Sequence, residues 1–496
     1  MIIRKIFLLS LIFVFSFSSF SQSLKNKDHS VTNAIKKLQN DKDMANAGIS
    51  FYAIDLKTGE VIAELNPDLC LKPASTMKII TTAAALEELG ATYRFETKIR
   101  YDGYIDTITR TLHGNIIIEG GGDPTLGSKY FQSTKNKTFL NDWSKAIKDM
   151  GIDTINGYII GDATKYSWEM IPPTWSWEDF GNYFGAGPCG LSIYDNMYTL
   201  YFNTSSTVGG NTTITKVEPL IQGMTFDNQV VSAAISDDQS YIFGTPYTYH
   251  RLINGKLPRD KTDYEVKGSM PDPALFAAQE LFVKLINDGI IIKKEPTTYR
   301  LLKEIKLTQS KKTTLHTTYS PTLAEIIYIV NNNSMNLFAE HLLVEIGIKR
   351  GKVNDVKSST GELEKFWLSK GMNTGGLSVN DGSGLSHYNY ASAKQLVYVL
   401  QFMKQKSTNY DAFYNSLSIA GERGTLRRFC QNTAAHGKVF AKSGSIRKVR
   451  CYAGYTTSKS GREIAFAIML NNYNCTATQS RQRLEEIVIS LVLLEL

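Results

Sequence analysis

A chain of 496 residues with 42% hydrophobic and 21% charged side chains can bury a sizeable core. That balance excludes disordered, collagen-like, coiled-coil and small disulfide-scaffold classes. The 55 Lys and Arg against 47 Asp and Glu give +8, spread through the chain without a basic run. Nucleic acid is therefore not an expected partner.

Arg4 and Lys5 precede an apolar run from Ile6 to Phe20 that ends among small serines. This is the layout of a secretory signal peptide over residues 1–21, cleaved after Ser21. The run falls short of the roughly 20 residues that span a bilayer, and no later stretch is long and apolar enough to span one. The expectation is an exported, periplasmic or extracytoplasmic protein with at most peripheral membrane or wall association. Export permits disulfides, but Cys70, Cys189, Cys430, Cys451 and Cys475 are scattered and odd in number, so no pairing can be assigned. No CxxC or HxxxH spacing is present, so no metal site and no cofactor is expected. His341 lies inside an expected helix and reads as a packing or surface residue.

Gly48 to Leu65 reads as a hairpin, with Ile49, Phe51 and Ala53 alternating before Lys57-Thr58-Gly59 and Val61, Ala63 and Leu65 after it. Pro73 then opens a helix that Gly90 stops. Residues from about 96 to 309 turn to short strands, aromatic residues and Gly/Asn/Asp turns, as inserted β-rich lobes would. Helical periodicity returns at Pro273 to Asn287, Thr322 to Val330, Met335 to Ile346 and Ala391 to Lys404. Strands Val449 to Thr456 and Glu463 to Leu470 follow, and an apolar helix from about Ser480 ends the chain. The implied core is an α/β (α+β) arrangement: a sheet built from both ends of the chain, with helices between.

Three short patterns could carry chemistry. In Ser75-Thr-Met-Lys78 a serine lies in the first helical turn and an amine sits three residues on, within reach of its hydroxyl. The helix N-terminus adds donors for a developing oxyanion. Ser334-Met335-Asn336 lies at the junction of two expected helices. Lys442-Ser443-Gly444 precedes the last strand pair, where a glycine lets a backbone approach a ligand closely. Singly, each is weak. Ser445-Ile-Arg-Lys448 repeats the first, and Ser378-Val-Asn380 and Ser407-Thr-Asn409 repeat the second. Lys57-Thr58-Gly59 repeats the third, but it sits at a hairpin tip and is explained by turn chemistry.

In this order, on a helix start, an inter-helix loop and a strand of the closing hairpin, the three are far more specific. The set belongs to penicillin-binding proteins and class A β-lactamases. The chain resembles the class C low-molecular-mass penicillin-binding proteins, the D-Ala-D-Ala carboxypeptidase/endopeptidase family. Glu119 to Leu126, Trp175 to Gly187, Asp381 to Ser386 and Gly421 to Leu426 extend the resemblance across nearly the whole mature chain. The resemblance accounts for the 255 residues between Lys78 and Ser334, because that family carries large lobes between its first two motifs. Met335 departs from the usual polar residue of the second motif, and Ser443 from threonine in the third.

The resemblance implies a β-lactamase/transpeptidase-like domain over 22–95 plus 310–496. The inserted region at 96–309 would form two lobes, roughly 96–205 plus 270–309, and 206–269. It implies a serine-type D-Ala-D-Ala carboxypeptidase or DD-endopeptidase acting on peptidoglycan stem peptides, with β-lactam antibiotics as covalent inhibitors. Ser75 would attack the carbonyl between two D-alanines while Lys78 takes its proton, the Lys78 amine being kept neutral by partial burial and the field of Lys442. By resemblance, Ser334 relays a proton to the leaving amine and Asn336 binds the stem peptide. Lys442 and Ser443 hold the terminal carboxylate, and the N–H groups of Ser75 and Ser445 form the oxyanion hole. A serine β-lactamase and a catalytically silent wall-binding protein are the alternatives; the long insertion argues against the first, the retained hydroxyl, amine and amide groups against the second. Trp175 and Trp177 read as core or interlobe packing in preference to a sugar-stacking platform.

Overall fold

The strand Glu463–Asn471 is apolar at seven successive positions, Ile464 to Leu470, as a strand covered on both faces requires. The computed structural model describes residues 30–302 and 311–495. The leader expected over 1–21 and the border expected at 309–310 lie outside the described residues. With a side-chain period of two, Ile464, Phe466, Ile468 and Leu470 point to one face and Ala465, Ala467 and Met469 to the other. The first set packs with helices Ser30–Gln39 and Ala477–Val492. The second packs with Met77–Leu89 and Ala393–Lys406, where alanines let the helices approach closely.

This strand is internal to a six-stranded antiparallel sheet in the order Ser418–Ile419, Val439–Ile446, Val449–Thr457, Glu463–Asn471, Gly48–Asp55, Val61–Leu65. The N-terminal hairpin thus pairs with the last strand, as expected for a sheet drawn from both ends of the chain. Lys57-Thr58-Gly59 forms the hairpin turn, where Asp55 Oδ1 accepts from the N–H groups of Lys57 and Thr58.

Helix Met77–Leu89 is buried on all sides from Met77 to Leu86, the mark of a central helix. Helices Leu323–Asn332 and Asn336–Gly351 pack against it, and a Thr322/Glu325 capping box starts the former. Pro273–Asn287 has the bounds expected from sequence, with Asp272 capping it and Pro273 in its first turn. Helices Ser30–Gln39, Thr138–Lys148, Val356–Ser369 and Tyr410–Ser416 were not legible in the sequence. In Val356–Ser369, a Ser-Ser-Thr-Gly run at 358–361 disfavours helix locally. Burial of Val356, Leu363, Phe366 and Trp367 overrides it.

Between the first two motifs the described residues build four further sheets. A five-stranded one takes Thr313–Tyr319 as an edge, pairing it with Glu96–Tyr101. One apolar cluster runs through this region, joining Ile99, Trp143, Tyr198, Ile253 and Leu281. Among the described residues no helix is long and apolar enough to cross a membrane, and all five cysteines are free thiols.

Candidate active site

The turn that presents Ser75 is held from two sides by backbone. Pro73 leads into a 3-10 turn, Ala74–Thr76, and the α-helix begins at Met77. Ala74 has φ +46°, a left-handed conformation that costs an L-residue about 1–2 kcal/mol. A Cβ on Gly384 would lie 1.9 Å from the Ala74 carbonyl oxygen; one on Gly444 would lie 2.4 Å from Pro73 O and 3.2 Å from Ser75 N. Both glycines are required because main chain lies against main chain there. Gly444→Ala is expected to push the strand Val439–Ile446 off the turn and slow acylation of Ser75 by labelled penicillin about 100-fold, the scale of an ångström's misplacement. An unchanged rate would show that this approach is dispensable.

Lys78 is fully buried one turn into the structure. Its Nζ lies 3.1 Å from Ser75 Oγ, 2.7 Å from Asn336 Oδ1 and 2.6 Å from Ser383 O. Asn336 Oδ1 and Ser383 O only accept, so two N–H bonds satisfy them. In the neutral amine the remaining lone pair faces the Ser75 hydroxyl proton. Burial lowers the Lys78 pKa to about 7 against the opposing attraction of Asp381 and Glu340. Burial is complete where partial burial was expected, and it, not the Lys442 field, is the cause. Lys442 is also fully buried, and its own pKa falls well below the usual lysine range through burial and the charge of Lys78.

The carbonyl that Ser383 offers to Lys78 belongs to a tightly pinned loop. Asp381 Oδ1 accepts from Gly384 N at 2.7 Å and Asn389 Nδ2 at 2.7 Å. Asp381 Oδ2 accepts from Ser386 N at 2.6 Å and Trp175 Nε1 at 2.8 Å. Glu340, from the helix after the second motif, accepts from the N–H groups of Gly382 and Ser383 at 2.9 and 2.8 Å. Burial and the neighbouring Asp381 carboxylate push the Glu340 pKa up. The loop is thereby preorganised around the amine. The segment Asp381 to Ser386 stands out in the sequence as a pattern, but nothing in it reveals that the Ser383 carbonyl is the contact.

Ser334 has φ +62°, and this turn directs its hydroxyl at Lys442, whose Nζ donates to Ser334 Oγ and to Ser443 O, each at 3.0 Å. Asn336 opens the next helix; its Nδ2 donates to Phe184 O at 2.8 Å, tying the inserted region to the site. Met335 is 7% exposed and packs into the central core, so the apolar replacement costs the site no hydrogen bond. Alternation along Val439–Ile446 sends Val439 and Ala441 to the outer core and leaves Lys442 and Gly444 on the helix-facing side. Ser443 Oγ donates to Thr425 Oγ1 at 2.8 Å, a partner that sequence reasoning did not assign. Ser445 follows on the same strand.

The structure thus links all three motifs: Lys78 joins Ser75 to Asn336, and Lys442 joins Ser334 to the third motif. The competing Ser445-Ile-Arg-Lys448 match forms no serine–amine pair, because Lys448 Nζ donates to Tyr473 O at 2.9 Å. His341 is buried, donating from Nδ1 to Gly122 O and accepting at Nε2 from Ser192, a packing residue as expected. Trp175 is buried against Asp381, whereas Trp177 is exposed and lies over Phe243 within the inserted region. Among the described residues no group of His, Cys, Asp and Glu could hold a metal ion.

Known proteins are similar to the chain over nearly its full length. The chain is 26% identical over 453 residues to a D-alanyl-D-alanine carboxypeptidase of Actinomadura sp. strain R39, covering 89% of this chain and 80% of that one. It is 24% identical over 459 residues to the D-alanyl-D-alanine carboxypeptidase DacB of Haemophilus influenzae, covering 88% of each. The fold matches the crystal structure of penicillin-binding protein 4 from Haemophilus influenzae with a TM-score of 0.76 at 23% identity, over 93% of this chain and 98% of that one. Residues 31–491 match the D-Ala-D-Ala carboxypeptidase 3 (S13) family, and the chain belongs to that family.

Proposed function

We propose that the chain cleaves the D-Ala-D-Ala bond, and the equivalent bond of cross-links, in peptidoglycan stem peptides through an acyl-enzyme on Ser75. The observation that carries this is the buried Lys78 amine 3.1 Å from Ser75 Oγ, with its other two contacts both acceptors. Ser75 Oγ attacks the carbonyl carbon as Lys78 takes its proton, and the N–H groups of Ser75 and Ser445 receive the oxyanion. The C–N bond then breaks, and Ser334, hydrogen-bonded to Lys442, relays a proton to the departing amine. Asn336 holds the stem peptide, and Lys442 with Ser443 holds the carboxylate of the leaving residue. Water attacks the ester, releasing the shortened peptide and restoring the Ser75 hydroxyl.

β-Lactams acylate the same serine and act as inhibitors. The apolar leader-like first 21 residues support export to the periplasm or cell exterior, where the substrate lies. The inserted lobes form a separate unit on this reading, and the pairing of Thr313–Tyr319 with Glu96–Tyr101 supports extending its edge to Tyr319.

The test is D-alanine release from a pentapeptide muropeptide as a function of pH. With the Lys78 pKa lowered to about 7, the neutral amine rises from about one-tenth of the population at pH 6 to about nine-tenths at pH 8. The rate is expected to climb about tenfold across that interval. No release, or a flat profile, would contradict the reading.

A further inference from the structure

A cavity of about 590 Å³ opens beside the third motif, within the ~300–1,000 Å³ range of ligand sites. Ser443 and Thr425, the two hydrogen-bonded hydroxyl residues, form part of its wall, as do Arg427, Arg428, Arg450 and Arg481. No acidic residue lines it. The Arg427 and Arg428 side chains are exposed and have neither a hydrogen bond nor an ion pair among the described residues. Arg450 spends one Nη2 contact on Ala477 O at 3.4 Å and leaves its buried Nε without a partner. Arg481 alone faces a carboxylate, Glu485, at 3.3 Å. Four guanidinium groups with one countercharge form an anion site, and their forked donors match carboxylates.

The position of the cavity says which part of a substrate reaches it. On the proposed function, Ser443 holds the carboxylate of the residue that departs, so the cavity continues from the leaving-group side of the scissile bond. A pentapeptide offers only a single D-alanine there, whose one carboxylate Ser443 already satisfies. In a cross-linked dimer the departing amine belongs to a second complete stem peptide, which carries further free carboxylates.

We propose that the Arg427/Arg428/Arg450/Arg481 cavity binds the carboxylates of that second stem, making cross-linked dimers the favoured substrate class. This rests on the Ser75 reading above. It assigns the arginines no role in acylation itself, so substrate preference and acylation are separable.

The experiment compares defined cross-linked dimer and pentapeptide monomer muropeptides, with penicillin labelling as a third readout. Both exposed arginines are replaced together, as Arg427→Ala/Arg428→Ala, a change the fold tolerates because neither side chain makes a hydrogen bond or ion pair among the described residues. The expected result is a loss of about tenfold or more in kcat/KM for the dimer. Pentapeptide cleavage and the penicillin acylation rate stay within about twofold. Arg427→Lys/Arg428→Lys keeps most of the dimer preference, and added salt erodes it in the unaltered chain. Equal losses on dimer and monomer, or an unchanged dimer rate, would overturn the cavity assignment alone. Failure of the unaltered chain to take up penicillin would overturn the Ser75 reading and this one together.

Discussion

Lys78→Met is expected to lower the acylation rate by about 10²- to 10⁴-fold, the range for removal of a general base. The side chain is similar in length and apolar, so it fills the same buried space. The change deprives Asn336 Oδ1 and Ser383 O of a donor, at about 1–3 kcal/mol for each acceptor left unsatisfied. It also removes a buried amine that is costly to keep charged, which offsets part of that loss. The variant is therefore expected to fold, and its melting temperature checks that. Stopped-flow acylation of the folded variant by a chromogenic β-lactam measures the effect. A folded variant reacting at the unaltered rate would mean that another group takes the Ser75 proton.

The parts of the fold legible in the sequence are those where local pattern and burial agree. The strand Glu463–Asn471, the capped helix Pro273–Asn287 and the Gly48–Leu65 hairpin carry their signals within a few residues. Helix Val356–Ser369 does not, because its Ser-Ser-Thr-Gly segment opposes a conformation that only tertiary packing secures. The site divides the same way. Side chains that act through their own chemistry, Ser75, Lys78, Ser334, Asn336 and Lys442, stand out as motifs because residue type and spacing define them. The carbonyls of Ser383 and Phe184, which complete the hydrogen bonds of Lys78 and Asn336, leave no residue-type signature. Any residue can supply a carbonyl; only the fold decides which one is aimed. Glu340 and Asp381 act one step further back, fixing that loop through backbone N–H groups. Of the two expected sources of the Lys78 shift, burial is the cause and the Lys442 field is not, for a related reason. Lys442 is visible in the sequence as a charge, whereas complete burial of an amine within the first turns of a helix is a property of the assembled core.

The second large effect concerns the nucleophile. Ser75 is half-buried, and among the described residues its hydroxyl makes its hydrogen bond with Lys78 alone. Removing the oxygen leaves the amine its contacts to Asn336 and Ser383, so Ser75→Ala is expected to change stability by no more than about 1 kcal/mol. Covalent chemistry, by contrast, loses its only bond-forming atom. The effect on acylation is total, where removal of the base slows a reaction that still has its nucleophile. The lifetime of the adduct on the unaltered chain separates this enzyme from the alternatives named by its motifs. A β-lactamase would turn the drug over without a lasting adduct, and a silent wall-binding protein would never form one.

Intact-protein mass spectrometry after incubation with penicillin, followed by peptide mapping, is the most direct measurement. A single persistent adduct per chain, carried by the peptide containing Ser75 and missing from folded Ser75→Ala, is the result this mechanism requires. An adduct that survives the substitution, or one mapped to a different residue, would contradict it.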